Sequence, residues 1–201
     1  MINTIIFDLG GVLIDWSPDY VFKTIFDDEK EKQYFFDNVC TPHWNELQDG
    51  GRSIAEANET LIKQFPQYKE QILAFYGRWA EMLGGPIEGT VEILKELVAN
   101  KNLRVLALTN WSAETFPIAL ERYDFLHTFE GILVSGVEKL KKPDPVFYQL
   151  MLDRYNIEGA SALFIDDNQR NVDAANEFGL PAVLFESPEK LRVDLSGLGV
   201  L

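Results

Sequence analysis

IIFDLGGVLID, residues Ile5–Asp15, decides the fold. With Thr4, the apolar run to Phe7 reads as a short strand buried on both faces. Asp8 ends that strand, Gly10-Gly11 turns the chain tightly, and a second apolar run follows. An ionised carboxylate in apolar surroundings is costly unless it has a partner. Ligands of open α/β sheets bind outside the carboxyl ends of the strands. Asp8 therefore stands where chemistry is done. Serving only as a strand-end cap is the bland alternative.

Working outward, three more apolar runs read as buried parallel strands: Leu103–Leu108, Ala162–Ile165 and Ala182–Phe185. Gly131–Ser135 is a weaker fifth. Amphipathic helices are expected over Thr90–Ala99, Ala113–Arg122, Pro145–Arg154 and Val172–Phe178, the last stopped by Gly179 and Pro181. This alternation predicts an α/β fold with a doubly wound parallel sheet. From about Ser17 to Leu83 the alternation breaks. Pro18-Asp19, Asp27-Asp28, Thr41-Pro42, Asp49-Gly50-Gly51 and Phe65-Pro66 punctuate helices there, with no convincing strand. Gly84-Gly85-Pro86 reads as a hinge back to the sheet. The expected organisation is a core of residues 1–16 and 85–201 with a helical lobe, residues 17–84, inserted after the first strand.

The chain has 201 residues and a net charge of −14, which argues against a nucleic-acid or anionic-membrane surface. No apolar run reaches the length of about 18 residues that a membrane helix needs. The N-terminus lacks the basic flank of a secretory signal. The single cysteine, Cys40, suits a reducing compartment and reads as packing. The expectation is a cytoplasmic protein, monomer or homodimer, acting on a small molecule.

Strand carboxyl ends share one face of a parallel sheet, so further polar groups should converge on Asp8. They are Thr109-Asn110, Lys141-Lys142 and Asp166-Asp167. Their types fit together. Asp8 can act as a nucleophile through a covalent acyl intermediate. Asp8 and Asp167 can hold Mg²⁺, a hard ion that takes oxygen ligands. Lys142 and the Thr109 hydroxyl can bind phosphoryl oxygens, and Lys142 offsets repulsion among the carboxylates. Each group also has a plainer reading: Thr109-Asn110 as a turn or cap, Lys141 as a solvated neighbour, and Asp166-Asp167 as a helix cap.

FDLGGVLID, then LTN at Leu108–Asn110, KKPDP at Lys141–Pro145 and FIDDNQRNVDAANEFG at Phe164–Gly179, resembles in this order the haloacid dehalogenase-like superfamily. The likeness is to the branch with a helical cap after the first strand, and it covers nearly the whole chain. It implies a Rossmann-like core, an aspartyl nucleophile at Asp8 and Mg²⁺-dependent phosphatase activity. It also implies phosphate contacts at Thr109, Asn110 and Lys142. Metal would bind Asp8, Asp167 and the main-chain carbonyl of Gly10, with Asp166 in support. Asn171, at a position often acidic in the superfamily, would hold a metal-bound water or else be helix surface.

One position departs from that pattern. Gly10 stands where most phosphatases of the superfamily carry an Asp that protonates the leaving group and later activates water. General acid–base help is typically worth about 10²–10⁴-fold, so a substitute donor or a slow enzyme is expected. Asp15, Asp49 or water are the candidates.

His43, Trp44 and Arg52 read as packing or solvated residues of the lobe. The expected function is hydrolysis of small phosphomonoesters of the sugar-phosphate type. One alternative is a haloacid dehalogenase, which Gly10 weakly favours and the lack of any arginine before Arg52 opposes. The other is a non-catalytic phosphate- or partner-binding relative.

Overall fold

The computed structural model describes all 201 residues. The chain runs through β1 (Thr4–Phe7), β2 (Ile14–Trp16), α1 (Asp19–Phe22), α2 (Glu29–Asn38), α3 (Pro42–Asp49), α4 (Ile54–Gln64) and α5 (Lys69–Gly77). It continues through β3 (Leu83–Pro86), α6 (Glu88–Ala99), β4 (Arg104–Thr109), α7 (Phe116–Arg122), β5 (Ile132–Val134) and α8 (Ser135–Glu138). The last elements are α9 (Pro145–Tyr155), β6 (Ala162–Asp166), α10 (Gln169–Phe178), β7 (Ala182–Leu184) and α11 (Pro188–Gly197). The main sheet has the order β5-β4-β1-β6-β7, and all its pairings are parallel. No helix is long and apolar enough to cross a membrane.

β1 lies in the middle of the sheet, and its alternating side chains serve both layers. Ile5 and Phe7 join Val91, Leu94 and Leu97 of α6 on one face. Ile6 joins Phe147, Tyr148 and Met151 of α9 and Ala175 of α10 on the other. Both faces being covered explains why these strands read as continuous apolar runs.

Helices α1 to α5 fill the stretch between β2 and β3, and its junction with the sheet is not a linker. Gly84–Pro86, read as a hinge, belongs to β3, which pairs antiparallel with β2. The ribbon is extended by Ser17 N–H donating to Met82 O and Ile87 N–H donating to Leu13 O, each at 2.9 Å. Glycine-rich sequence hid a strand whose geometry is set by its partner. Other boundaries move less. α7 begins at Phe116 and α6 at Glu88, and α10 begins at Gln169, where Asn168 accepts from Arg170 N–H as its cap. Ser135 leaves β5 for α8. The sequence reading did not anticipate α11, which starts where Ser187 accepts from Lys190 N–H.

The lobe is organised around Phe22. Its ring lies 5.1–6.2 Å from those of Phe26, Phe35, Phe36 and Phe75. The same apolar cluster continues through Trp79 into the core domain. Helix starts are fixed locally. Asp28 accepts from Lys30 N–H, Ser53 from Glu56 N–H, and Thr41 from Trp44 N–H with Pro42 in the first turn.

Replacing Phe22 by Ala removes a fully buried ring from the centre of the lobe. A loss of about 3–5 kcal/mol is expected. Urea denaturation measures it, and a loss below about 1 kcal/mol would mean that the lobe is not held by this cluster.

Candidate active site

Parallel strands bring the polar groups to one edge as expected. β1 delivers Asp8, β4 delivers Thr109-Asn110 and β6 delivers Asp166-Asp167. Beside them lies a cavity of ≈ 300 Å³ that Asp8, Gly10, Asn110, Asp167 and Asn171 line from the core. Asn45, Glu46, Asp49 and Trp79 close it from the lobe.

Lys142 is the electrostatic centre. It is wholly buried, and its Nζ lies 2.9 Å from Asp8 Oδ2 and 2.7 Å from Asp166 Oδ2. Its main chain is tied by Asn110: Lys142 N–H donates to Asn110 Oδ1 at 2.9 Å, and Asn110 Nδ2 donates to Lys142 O at 3.0 Å. The Asn110 amide, expected to touch substrate, thus holds the lysine main chain while the residue also lines the cavity.

Asp166 accepts also from Asn168 N–H at 2.8 Å and from Asn171 Nδ2 at 3.0 Å. With these partners its carboxylate is fully occupied. Asn171 Oδ1 is buried with no partner. Asp167, next in sequence, is exposed to the cavity. Gly11 makes that possible. Its φ is +74°, and a Cβ there would lie 2.2 Å from Asp167 Oδ2. Thr109 Oγ1 is buried without any hydrogen-bond partner, an arrangement that costs stability unless a ligand supplies one. The Gly10 carbonyl accepts no main-chain hydrogen bond.

The carboxylate oxygens of Asp8, Asp166 and Asp167 lie within 4.8 Å of one another. One buried ammonium faces three acids. Burial pushes the Asp8 carboxyl up to about 7; Lys142 opposes the rise, and the Asp166 and Asp167 charges add to it. Burial and the Asp166 charge likewise raise Asp167. Burial disfavours the Lys142 charge, yet the flanking Asp8 and Asp166 outweigh it and hold the ammonium above the usual lysine range. Acids pushed up and a base pushed up together mean that the cluster is short of positive charge. All its free donors are oxygen, so a hard divalent cation fits.

The lobe is bound over this edge. Lys141 Nζ donates to Glu46 Oε2 at 2.6 Å, and Arg170 Nη2 reaches Glu46 Oε1 at 3.4 Å. Ser135 Oγ donates to Asp49 O at 2.6 Å, and Ile54 N–H donates to Glu114 Oε1 at 2.7 Å. Lys141, read as merely solvated, is one of these links. Glu46 and Arg170 were not picked out at all, because partners 95 and 124 residues apart leave no local pattern. The bland readings hold in the lobe. Trp44 packs on Phe75 and Tyr76, Arg52 donates to Gln48 and Trp44, and His43 is exposed. Cys40 is buried, and burial pushes its thiol well above the usual range, in line with a packing role.

The profile of the haloacid dehalogenase-like hydrolases matches residues 2–179. The chain belongs to this hydrolase family. A sesquiterpene phosphatase from Aspergillus oryzae is 27% identical over 175 residues, covering 87% of this chain and 85% of that protein. A drimenol cyclase from Aspergillus calidoustus is 26% identical over 98% of this chain, which spans only 37% of the cyclase. A HAD family enzyme from Bacteroides thetaiotaomicron, crystallised as a magnesium complex, superposes with a TM-score of 0.72 at 21% identity, over 92% of this chain and 94% of that one. That likeness is one of fold.

Removing the Lys142 charge leaves two buried carboxylates uncompensated. Lys142→Met is expected to cost about 3–5 kcal/mol in chemical denaturation. Adding Asp166→Asn should recover part of that loss, because one of the two stranded charges disappears. Independent, additive effects would contradict a shared charge network.

Proposed function

We propose that this HAD-like hydrolase is a Mg²⁺-dependent phosphatase of small phosphomonoesters, working through an aspartyl-phosphate on Asp8. The observation that carries this reading is the pairing of a carboxylate cluster short of positive charge with an unpartnered Thr109 hydroxyl at the same strand ends. Asp8, Asp167 and the Gly10 carbonyl would hold Mg²⁺, which supplies charge neutralisation and orients a phosphoryl group. Asp166 and Asn171 support from behind, since both are tied to Lys142 or to each other. Lys142 fixes the Asp8 carboxylate and lowers the cost of bringing a phosphate dianion beside it. Thr109 Oγ1 donates to a phosphoryl oxygen. Asp8 attacks phosphorus in line, and water then hydrolyses the acyl phosphate.

The helical lobe would serve as a cap that excludes bulk water and shapes the leaving-group side. A second cavity of ≈ 470 Å³ meets the first at Trp16, Asn45 and Glu46 and leaves room for a leaving group of sugar size. The name of the sesquiterpene phosphatase speaks for phosphate-ester chemistry in a relative that matches most of this chain. A haloacid dehalogenase is disfavoured because a leaving halide would face three carboxylates and no free cation of the core cluster.

Hydrolysis of p-nitrophenyl phosphate and of 2-chloropropionate, each with Mg²⁺ and with EDTA, separates the readings. Phosphate release that needs Mg²⁺ and vanishes in Asp8→Asn is expected. Metal-independent chloride release would instead establish the dehalogenase, and inertness to both substrates the non-catalytic relative.

A second measurement ranks the acid pair. Asp167→Asn should raise the Mg²⁺ concentration for half-maximal activity more than Asp166→Asn, for which about 10–100-fold is typical of an outer partner. The opposite ranking would reverse the assignment of direct ligand and support.

A further inference from the structure

We propose that Asp49, carried by the helical lobe, is the acid–base group of this site and does the work that a carboxylate at position 10 would do from the core. The proposal rests on the phosphatase reading above.

Elimination points to it. Glu46 shares the cavity, but burial is outweighed there by Lys141 and Arg170, which hold its carboxyl below the usual range and keep it ionised. Asp8 and Asp167 belong to the carboxylate cluster, and Asp166 is wholly engaged by Lys142, Asn168 and Asn171. Asp15, the other sequence candidate, does not line the cavity. Its carboxylate accepts from the Tyr20 hydroxyl and lies against Gly84 on the ribbon. Asp49 remains, and it faces the cavity that holds Asp8.

Its position is fixed from the core. The Asp49 carbonyl accepts from Ser135 Oγ, which itself accepts from Trp111 N–H at 2.9 Å. So a lobe residue is pinned to the loop that follows Thr109 and Asn110. Its side chain is held by the Ser112 N–H and, at 3.5 Å, by Asn45 Nδ2, with no cation bonded to it. It ends α3, where the helix dipole disfavours a negative charge. Burial pushes the carboxyl up to about 7. Lys141, the Ser112 N–H and Lys142 oppose the rise, and Glu46 adds to it. Asp8, Asp167 and Arg170 are the other charged groups around the cavity. An acid poised near neutral pH suits both donation and abstraction.

The steps balance. Asp8 forms the Oδ–P bond as the ester P–O bond breaks, and the Asp49 proton passes to the departing alkoxide, leaving Asp49 ionised. Water then attacks phosphorus, one of its protons returns to Asp49, the Asp8–P bond breaks and hydrogen phosphate leaves.

The test is Asp49→Asn with Mg²⁺, comparing p-nitrophenyl phosphate with an alkyl phosphate. The alkyl substrate needs a proton donor, so its kcat should fall about 10²–10⁴-fold. The aryl ester should still phosphorylate Asp8, giving a burst of about one equivalent of nitrophenolate before a slow steady state. In the wild type, alkyl turnover should fall as pH rises through about 7, where Asp49 loses the proton it must donate. That limb should vanish in the variant. A Cβ at Gly10 meets nothing within 4 Å, and Gly10 φ is not positive, so Gly10→Asp is sterically allowed and should restore alkyl turnover to Asp49→Asn. A merely structural role for Asp49 would slow both substrates alike, with no burst and no rescue, and that result overturns the proposal. So does wild-type-like turnover of both substrates. A wild type unable to hydrolyse either ester overturns the phosphatase reading itself, and this proposal with it.

Discussion

Lys142, wholly buried between Asp8 and Asp166, is the contact on which the rest of the site depends. A buried charge is tolerated only when paired, and this one is paired twice. The arrangement stabilises Asp8 in a single orientation at the end of a central strand. It also sets a limit. One ammonium cannot balance three carboxylates, so the resting cluster retains excess negative charge and an affinity for a hard cation. Binding and catalysis then rest on the same imbalance.

Rigid support surrounds that pair. The Asn110 amide grips the Lys142 main chain from the neighbouring strand end, and Asn171 and Asn168 hold Asp166 from the start of α10. Gly11 leaves room for the Asp167 carboxylate to approach the loop after β1. The polar residues that do not touch each other are the informative ones. Thr109 Oγ1 and Asn171 Oδ1 are buried beside this network without a protein partner.

The lobe is tied to the core at fixed points. Glu46 is tied to two cations of the core, and the Asp49 main chain to Ser135, so the lobe presents its carboxylates at defined places above Asp8. The β2–β3 ribbon closes the lobe's two ends together, which limits how it can move. An acid–base group placed on such a lobe would be in position only when the lobe is seated, coupling proton transfer to exclusion of water.

The α/β class, the five strands of the main sheet and the placement of Asp8, Thr109, Asp166 and Asp167 at strand ends were legible in the sequence. These are legible because buried parallel strands are apolar on both faces and because their ends fall at residues that burial would otherwise penalise. Asn110 has a contact that its sequence position did not reveal, since its amide also grips the Lys142 main chain while the residue lines the cavity. Gly84–Pro86 concealed a strand, because its pairing with Ile14–Trp16 is a property of two segments far apart in the chain. Glu46 and Arg170 gave no local signal, and the choice among Asp15, Asp49 and water was open. In the tertiary structure Asp15 accepts from Tyr20 while Asp49 lines the cavity, and the proposal for Asp49 is built on that difference. Side-chain type and strand period are written along the chain, but which face of an inserted lobe meets the sheet edge follows from packing between distant segments.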